Sequence, residues 1–299
     1  MQPLKAVFFD LDDTLVLTED CDRAAFKRVA ALAEELVPGV CGRRLVNDWR
    51  PMFHSSPWCP EGKVEVEAWR ATLWRAALAR QGREDDAAAA RLQHCFSSTR
   101  LEHFRFGAGV EAMVQRLQGL GLATLIISNG HRSVQRAKLE ACQAARLFPH
   151  ALVGGEEIAV GCGHEKPHPA IFHKACSLVG CHPSEAVHVG DSLIADVNGA
   201  LQAGLAAAIW VNRDGARPVP TGLRPAAMLS SVLELPSALQ QLKLIAPPAP
   251  APPLARAAAA VAAPAPAAAA ARHAAEPAPE SATQQAEQAE QGDPSLNPG

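Results

Sequence analysis

The chain has 299 residues, enough for roughly two compact units, and its net charge of −3 gives no basic footprint for nucleic acid. No stretch approaches the roughly 18 apolar residues of a membrane span, and Asp10, Asp12 and Asp13 stand where a secretion signal would need its apolar core, so a cytoplasmic protein is expected. The eight cysteines are scattered without a Cys-x-x-Cys pair and read as reduced thiols; Cys162, His164, Cys176 and Cys181 match no zinc spacing.

Residues 4–9 form a short apolar run that ends in carboxylates, the pattern of a buried strand with polar residues at its carboxyl end. Residues 16–103 then read as helices only. Ala25, Val29, Leu32 and Leu36 recur at intervals of three and four, and Val66, Trp69, Leu73, Trp74 and Leu78 do the same. Gly107 and Gly109 suggest a return hinge. Beyond it, helical patterns at 108–120, 131–145, 168–180 and 193–203 alternate with apolar runs at 122–127, 151–153, 186–189 and 206–211. Residues 228–239 offer a last short strand and helix.

This alternation predicts right-handed parallel βαβ units, hence an α/β protein with a doubly wound, Rossmann-like parallel sheet. Residues 1–15 and 104–245 would form its core, and 16–103 an all-helical insert after the first strand. Ligands in such sheets bind beyond the carboxyl ends of the strands. From residue 247 the chain is almost entirely Ala, Pro, Glu and Gln, with only Leu254, Val261 and Leu296 as larger aliphatics. It cannot bury enough apolar surface to fold, so 246–299 is expected to be a disordered tail with no catalytic role and no assigned partner.

Chemistry concentrates at the predicted strand ends. After the first strand, Asp10 and Asp12 are two residues apart, so extended backbone turns both the same way; their repulsion calls for a hard cation such as Mg²⁺. Alone, such a pair is ordinarily a solvated turn. Three further strand ends change that reading. Ser128 offers a hydroxyl and Asn129-Gly130 a turn with backbone N–H groups, suited to phosphate oxygens. Lys166 offers a compact positive charge. Gly190-Asp191, with Asp196 five residues on, offers further carboxylates. Each taken singly reads as a helix cap, a loop charge or an exposed acid; their order at equivalent strand ends points to phosphoryl chemistry.

In that order these motifs resemble the haloacid dehalogenase (HAD) superfamily, over residues 5–245. The resemblance implies a HAD-like core with an all-helical C1 cap in the insert, Mg²⁺ as cofactor, and a small-molecule phosphate ester as substrate. It assigns Asp10 as the nucleophile and Asp12 as general acid and base. Asp10, the backbone carbonyl of Asp12 and Asp191 would hold the metal, with Asp196 behind them. Leu11, Asp12, Asp13, Thr14, Ser128, Asn129, Gly130 and Lys166 would line the phosphate and substrate site, Thr14 orienting Asp12 and Asn129 steering the phosphate or the carboxylate.

A closer resemblance, to the N-acylneuraminate-9-phosphatase family, rests on Ser98-Thr99-Arg100-Leu101-Glu102-His103, residues 129–142, Val153-Gly154-Gly155-Glu156, Trp210-Val211-Asn212 and residues 230–236. It implies removal of phosphate from a nine-carbon sialic acid phosphate in the cytosol. His131 departs from the Asp expected after Asn-Gly and changes the rim of the site. A substrate of that kind carries a carboxylate as second anion, for which Arg70, Arg100 and Arg132 are candidates. The alternatives are another C1-capped phosphatase, acting on phosphoglycolate or a sugar phosphate, a dehalogenase, or a non-catalytic interaction protein that uses the tail to dock. The intact Asp10, Asp12, Ser128, Lys166 and Asp191 disfavour the last.

Overall fold

Short runs with both faces buried pair side by side into a parallel sheet. The computed structural model describes residues 3–246 except 161, 162, 214 and 216; Cys162 and, from residue 247, the expected tail lie outside the described residues. The strands are β1 (Ala6–Phe9), β2 (Ala123–Ser128), β3 (His150–Val153), β4 (Ala186–Gly190), β5 (Ala207–Val211) and β6 (Ala227–Leu229), in the order β3-β2-β1-β4-β5-β6. Every neighbouring pair is parallel. The chain winds outward from β1 to β3 and then returns to β1's other side for β4, which puts the topological switch point between β1 and β4. Phe9 pairs with both Ile126 and Val189, so Asp10, Ile127 and Gly190 emerge level with one another.

The period of two along the strands assigns side chains to two layers. Val7, Phe9, Ile126, Val189 and Ile209 pack with α5 (Val110–Gly119), α6 (Arg132–Ala141) and α10 (Leu235–Gln241). Ala6, Phe8, Leu125, Ile127 and Trp210 pack with α8 (Pro169–Val179) and α9 (Gly199–Gln202) on the opposite face. A short α7 (Gly154–Ala159) follows β3. No helix among the described residues is long and apolar enough to cross a membrane.

Two expected helices differ in detail. The pattern over 131–145 stops at Ala141, because Gln143 adopts a left-handed φ of 54° before a 3₁₀ turn at Ala144–Arg146. The pattern over 193–203 is a π-helical turn at Leu193–Asn198 followed by α9. Asp196 and Val197 N–H groups both donate to Ser192 O, widening the turn. The buried partners of Asp196, described below, account for that widening.

Between β1 and α5 lies the helical cap: α1 (Thr18–Leu36), α2 (Gly42–Ser55), α3 (Val66–Ala79) and α4 (Asp86–His103). It has its own apolar centre, in which Trp49 and Trp74 stack at 4.3 Å and 8°, flanked by Phe53 and Phe96. Trp74 Nε1 donates to Gln93 Oε1 at 3.0 Å, so the indole is buried without an orphaned donor. Gly42 lets α2 approach the backbone of Ala30 in α1, where any Cβ would overlap it. The chain re-enters the core beside its exit, Gly107 N–H donating to Leu15 O at 3.1 Å.

Trp74→Ala should destabilise the cap by about 3–5 kcal/mol, the cost of truncating a fully buried indole. Denaturant unfolding would check this, and a loss below about 1 kcal/mol would show that the stacked centre does not hold the cap together.

Candidate active site

Beyond the carboxyl ends of β1 and β4, Asp10 is 7%, Lys166 3% and Asp196 1% exposed. Charges buried this deeply persist only if they neutralise one another. Lys166 Nζ donates to Asp10 Oδ1 at 2.6 Å and to Asp196 Oδ1 at 2.7 Å. Burial by itself would lower the Lys166 pKa; the two carboxylates overcome it and hold the ammonium charged above its usual range. Asp196 is engaged on both oxygens, since His188 Nε2 meets Oδ1 at 2.8 Å and Ser192 N–H donates to Oδ2 at 2.9 Å. Burial lowers the His188 pKa, so the ring is neutral at pH 7 and donates from Nε2. Gly190 belongs to this packing, because a Cβ there would overlap the Asp196 carboxylate.

Asp191 completes a cluster in which ligand oxygens of Asp10, Asp191 and Asp196 lie within 4.8 Å of one another. Burial, with Asp196 and Asp12 adding to it against Lys166, raises Asp10 to about 8. Burial, then Asp196 and Asp13, raises Asp191 to about 6. Such crowding is what a cation relieves, and a set of hard carboxylate oxygens fits a small divalent one.

Asp12 faces the other way, toward α6. Lys138 Nζ meets its two oxygens at 2.7 and 2.8 Å, and Gln135 Nε2 donates to Oδ2 at 2.8 Å. Burial opposes the ionised form, but Lys138, the Gln135 hydrogen bond and Arg100 hold Asp12 below its usual pKa. Gln135 also donates to Ser128 Oγ at 2.7 Å and Asn129 O at 2.6 Å, tying Asp12 to the end of β2.

Asp10, Asp191, Asp196 and Lys166 thus meet in one cluster, and Asp12 and Ser128 in an adjoining one. The other residues singled out from sequence have varied surroundings. Leu11 is wholly buried, leaving only its backbone for a ligand. Asp13, at φ 58°, accepts from Thr18 N–H and Oγ at 3.0 and 2.6 Å and so caps α1. The buried Thr14 hydroxyl has no partner among the described residues, and the side chains that hold Asp12 are Lys138 and Gln135. Asn129 clamps the Lys166 backbone, its Nδ2 donating to Lys166 O at 2.6 Å and its Oδ1 accepting Lys166 N–H at 2.9 Å. Gly130 turns with φ 119°, and its carbonyl accepts Gly155 N–H at 3.1 Å. Gln135, Lys138 and His188 escaped the sequence reading, although each places a polar residue on an apolar stripe or run.

A parallel sheet gathers carboxylates and a lysine at its switch point, and the family model of the haloacid dehalogenase-like hydrolases matches residues 4–204. The chain belongs to that family. Among its relatives, N-acylneuraminate-9-phosphatase of Homo sapiens is 35% identical over 249 residues, covering 80% of this chain and 95% of that one. A phosphoserine phosphatase of Thermus thermophilus is 32% identical over 241 residues, covering 72% and 91%. The crystal structure of a HAD-hydrolase from Bacillus subtilis bound to magnesium superposes with a TM-score of 0.59 at 21% identity, covering 80% of this chain and 99% of that one. The chain therefore stands with the phosphoric monoester hydrolases of the family.

Lys138→Met strands a carboxylate with one neutral donor and should cost about 3 kcal/mol, most of which should vanish in an Asp12→Asn background. Urea unfolding of the four proteins closes this cycle; equal losses in both backgrounds would show that the pair contributes nothing.

Proposed function

We propose that this protein is a cytoplasmic, Mg²⁺-dependent phosphatase that hydrolyses N-acylneuraminate 9-phosphate to the free sugar and phosphate through an aspartyl phosphate on Asp10. The observation that carries the reaction is the buried Asp10 carboxylate at the switch point, fixed by Lys166 beside Asp191 and Asp196. Asp10, the Asp12 carbonyl and Asp191 would hold Mg²⁺, whose chemistry is to screen negative charge between carboxylate and phosphate.

Lys166 orients Asp10 and adds a positive charge toward the phosphate oxygens. Asp10 attacks phosphorus in line, forming the acyl–phosphate bond as the bond to the leaving sugar oxygen breaks. Asp12, ionised while Lys138 holds it, takes up a proton from solvent on leaving that ammonium, delivers it to the leaving oxygen, and then regains one from the water that hydrolyses the acyl phosphate. Ser128 and the N–H groups of the turn after β2 receive phosphate oxygens. Asp196 stays behind, its two oxygens spent on Lys166, His188 and Ser192.

The substrate reading is supported by the likeness to N-acylneuraminate-9-phosphatases over 80% of this chain. A cavity of about 600 Å³ at the seam of cap and core opens on Asp13 and Asp191, beside the carboxylate cluster, and gives the phosphate end of a substrate a way in.

Asp10→Asn should abolish phosphatase turnover with the fold retained, as read by circular dichroism; an unimpaired rate would remove Asp10 from its role. In a panel of N-acetylneuraminate 9-phosphate, phosphoglycolate and hexose phosphates, the first should dominate and chelation should stop it. Equal rates across the panel would defeat the substrate reading, and activity that survives chelation would defeat the metal.

A further inference from the structure

Three cationic side chains are buried among the described residues: Lys166, Lys138 and Arg70, the last 5% exposed. The two lysines each have carboxylate oxygens within 2.8 Å. Arg70 does not. Its Nε donates to Pro57 O at 2.9 Å and its guanidinium carbon lies 5.0 Å from the Phe53 ring centroid, while among the described residues its terminal nitrogens come no nearer a carboxylate than 4.0 Å, at Glu67. The other Glu67 oxygen, Oε2, accepts from Ser97 Oγ at 2.7 Å and Gln93 Nε2 at 3.0 Å. A guanidinium withdrawn from water without a close anion is costly; burial pushes the Arg70 pKa down to about 10.

Arg70 lines a cavity of about 270 Å³ between α3 and α4 of the cap and α6 of the core. Phe96, Leu101, Val134 and Ala137 make most of its wall apolar. Lys138, whose ammonium holds Asp12, lines the same cavity. A leaving group that takes its proton from Asp12 and extends away from the phosphate would bring its far end toward Arg70. The other arginines near the seam are committed or exposed. Arg100 pairs with Asp22, Arg213 donates to Asp13 O, and Arg132 is exposed.

We infer that Arg70 is the specificity-determining residue of this site, its guanidinium fork receiving the carboxylate of a phosphate ester whose leaving group occupies the cavity between α3, α4 and α6. The inference rests on the phosphatase reading above and names what that site selects: a phosphomonoester with a second, planar anion. Two parallel N–H···O bonds from Arg70 to the carboxylate would supply the close acceptor that the protein itself does not.

The test uses two matched substrate pairs that differ in the carboxylate: N-acetylneuraminate 9-phosphate against its C1 carboxamide, and phosphoserine against phosphoethanolamine. The intact enzyme should prefer the carboxylate member by roughly ten-fold or more in kcat/KM, through KM, and Arg70→Gln should bring that ratio close to one. Arg70→Lys, which keeps the charge and loses the fork, should fall between. Unfolding midpoints check the variants; if the Gln variant does not fold, the Lys variant carries the test, and an undiminished preference in it overturns the inference. No preference in the intact enzyme for the carboxylate member of either pair overturns it as well. Hydrolysis of the phosphoserine pair alone would sink the sialic acid substrate while leaving Arg70 to be judged by the ratio.

Discussion

The ammonium of Lys166 sits between the carboxylates of Asp10 and Asp196, and the chemistry at the sheet's edge depends on that contact. An ion triad out of water carries a desolvation cost that only close geometry and further hydrogen bonds offset. The surrounding structure provides both. His188 and Ser192 N–H complete Asp196, Asn129 clamps the Lys166 backbone, and Gly190 leaves room for the carboxylate. The π-helical turn at Leu193–Asn198 is the local expression of the same demand, since it brings Asp196 inward at the end of β4. Asp10, proposed as the nucleophile, directly follows β1 and is held by Lys166 from the loop ahead of α8, the fixed placement that an in-line attack requires.

A second layer of control comes from where Asp12 is kept. Lys138 and Gln135 belong to α6, which packs against the core sheet on one side and adjoins α3 and α4 around the smaller cavity on the other. The side chain proposed to move the proton is thus anchored by a helix that also borders the space for the leaving group. Selection of the leaving group and placement of the proton donor would be linked through one helix face.

Much of this was legible in the sequence, for identifiable reasons. The strands are buried on both faces, so they read as continuous apolar runs, and their carboxyl ends displayed Asp10, Ser128, Asp191 and, in the loop, Lys166. The four-helix cap showed through the three- and four-residue spacing around Val29 and Trp74. The π-turn was not legible, because it is set by the tertiary partners of Asp196 rather than by propensity. Gln135 and Lys138 were missed because a polar residue three places from another on a helix ordinarily faces solvent; their sharing of a stripe with Leu139 and Cys142 was the available signal. His188, inside Ala186-Val187-His188-Val189, was a buried histidine in plain view whose partner lay eight residues away. Asn129 shows the limit of motif reading: its side chain is spent on the Lys166 backbone.

The central claim is that a phosphoryl group resides covalently on Asp10. The most direct measurement is rapid quenching of the enzyme with substrate into borohydride, which reduces an acyl phosphate and leaves homoserine where the aspartate stood, followed by peptide mass analysis. Homoserine at position 10, appearing only with substrate and Mg²⁺ and absent from Asp10→Asn, is the predicted result. Homoserine at another aspartate, or phosphate released at full rate with position 10 unmodified throughout the first turnover, would contradict the account.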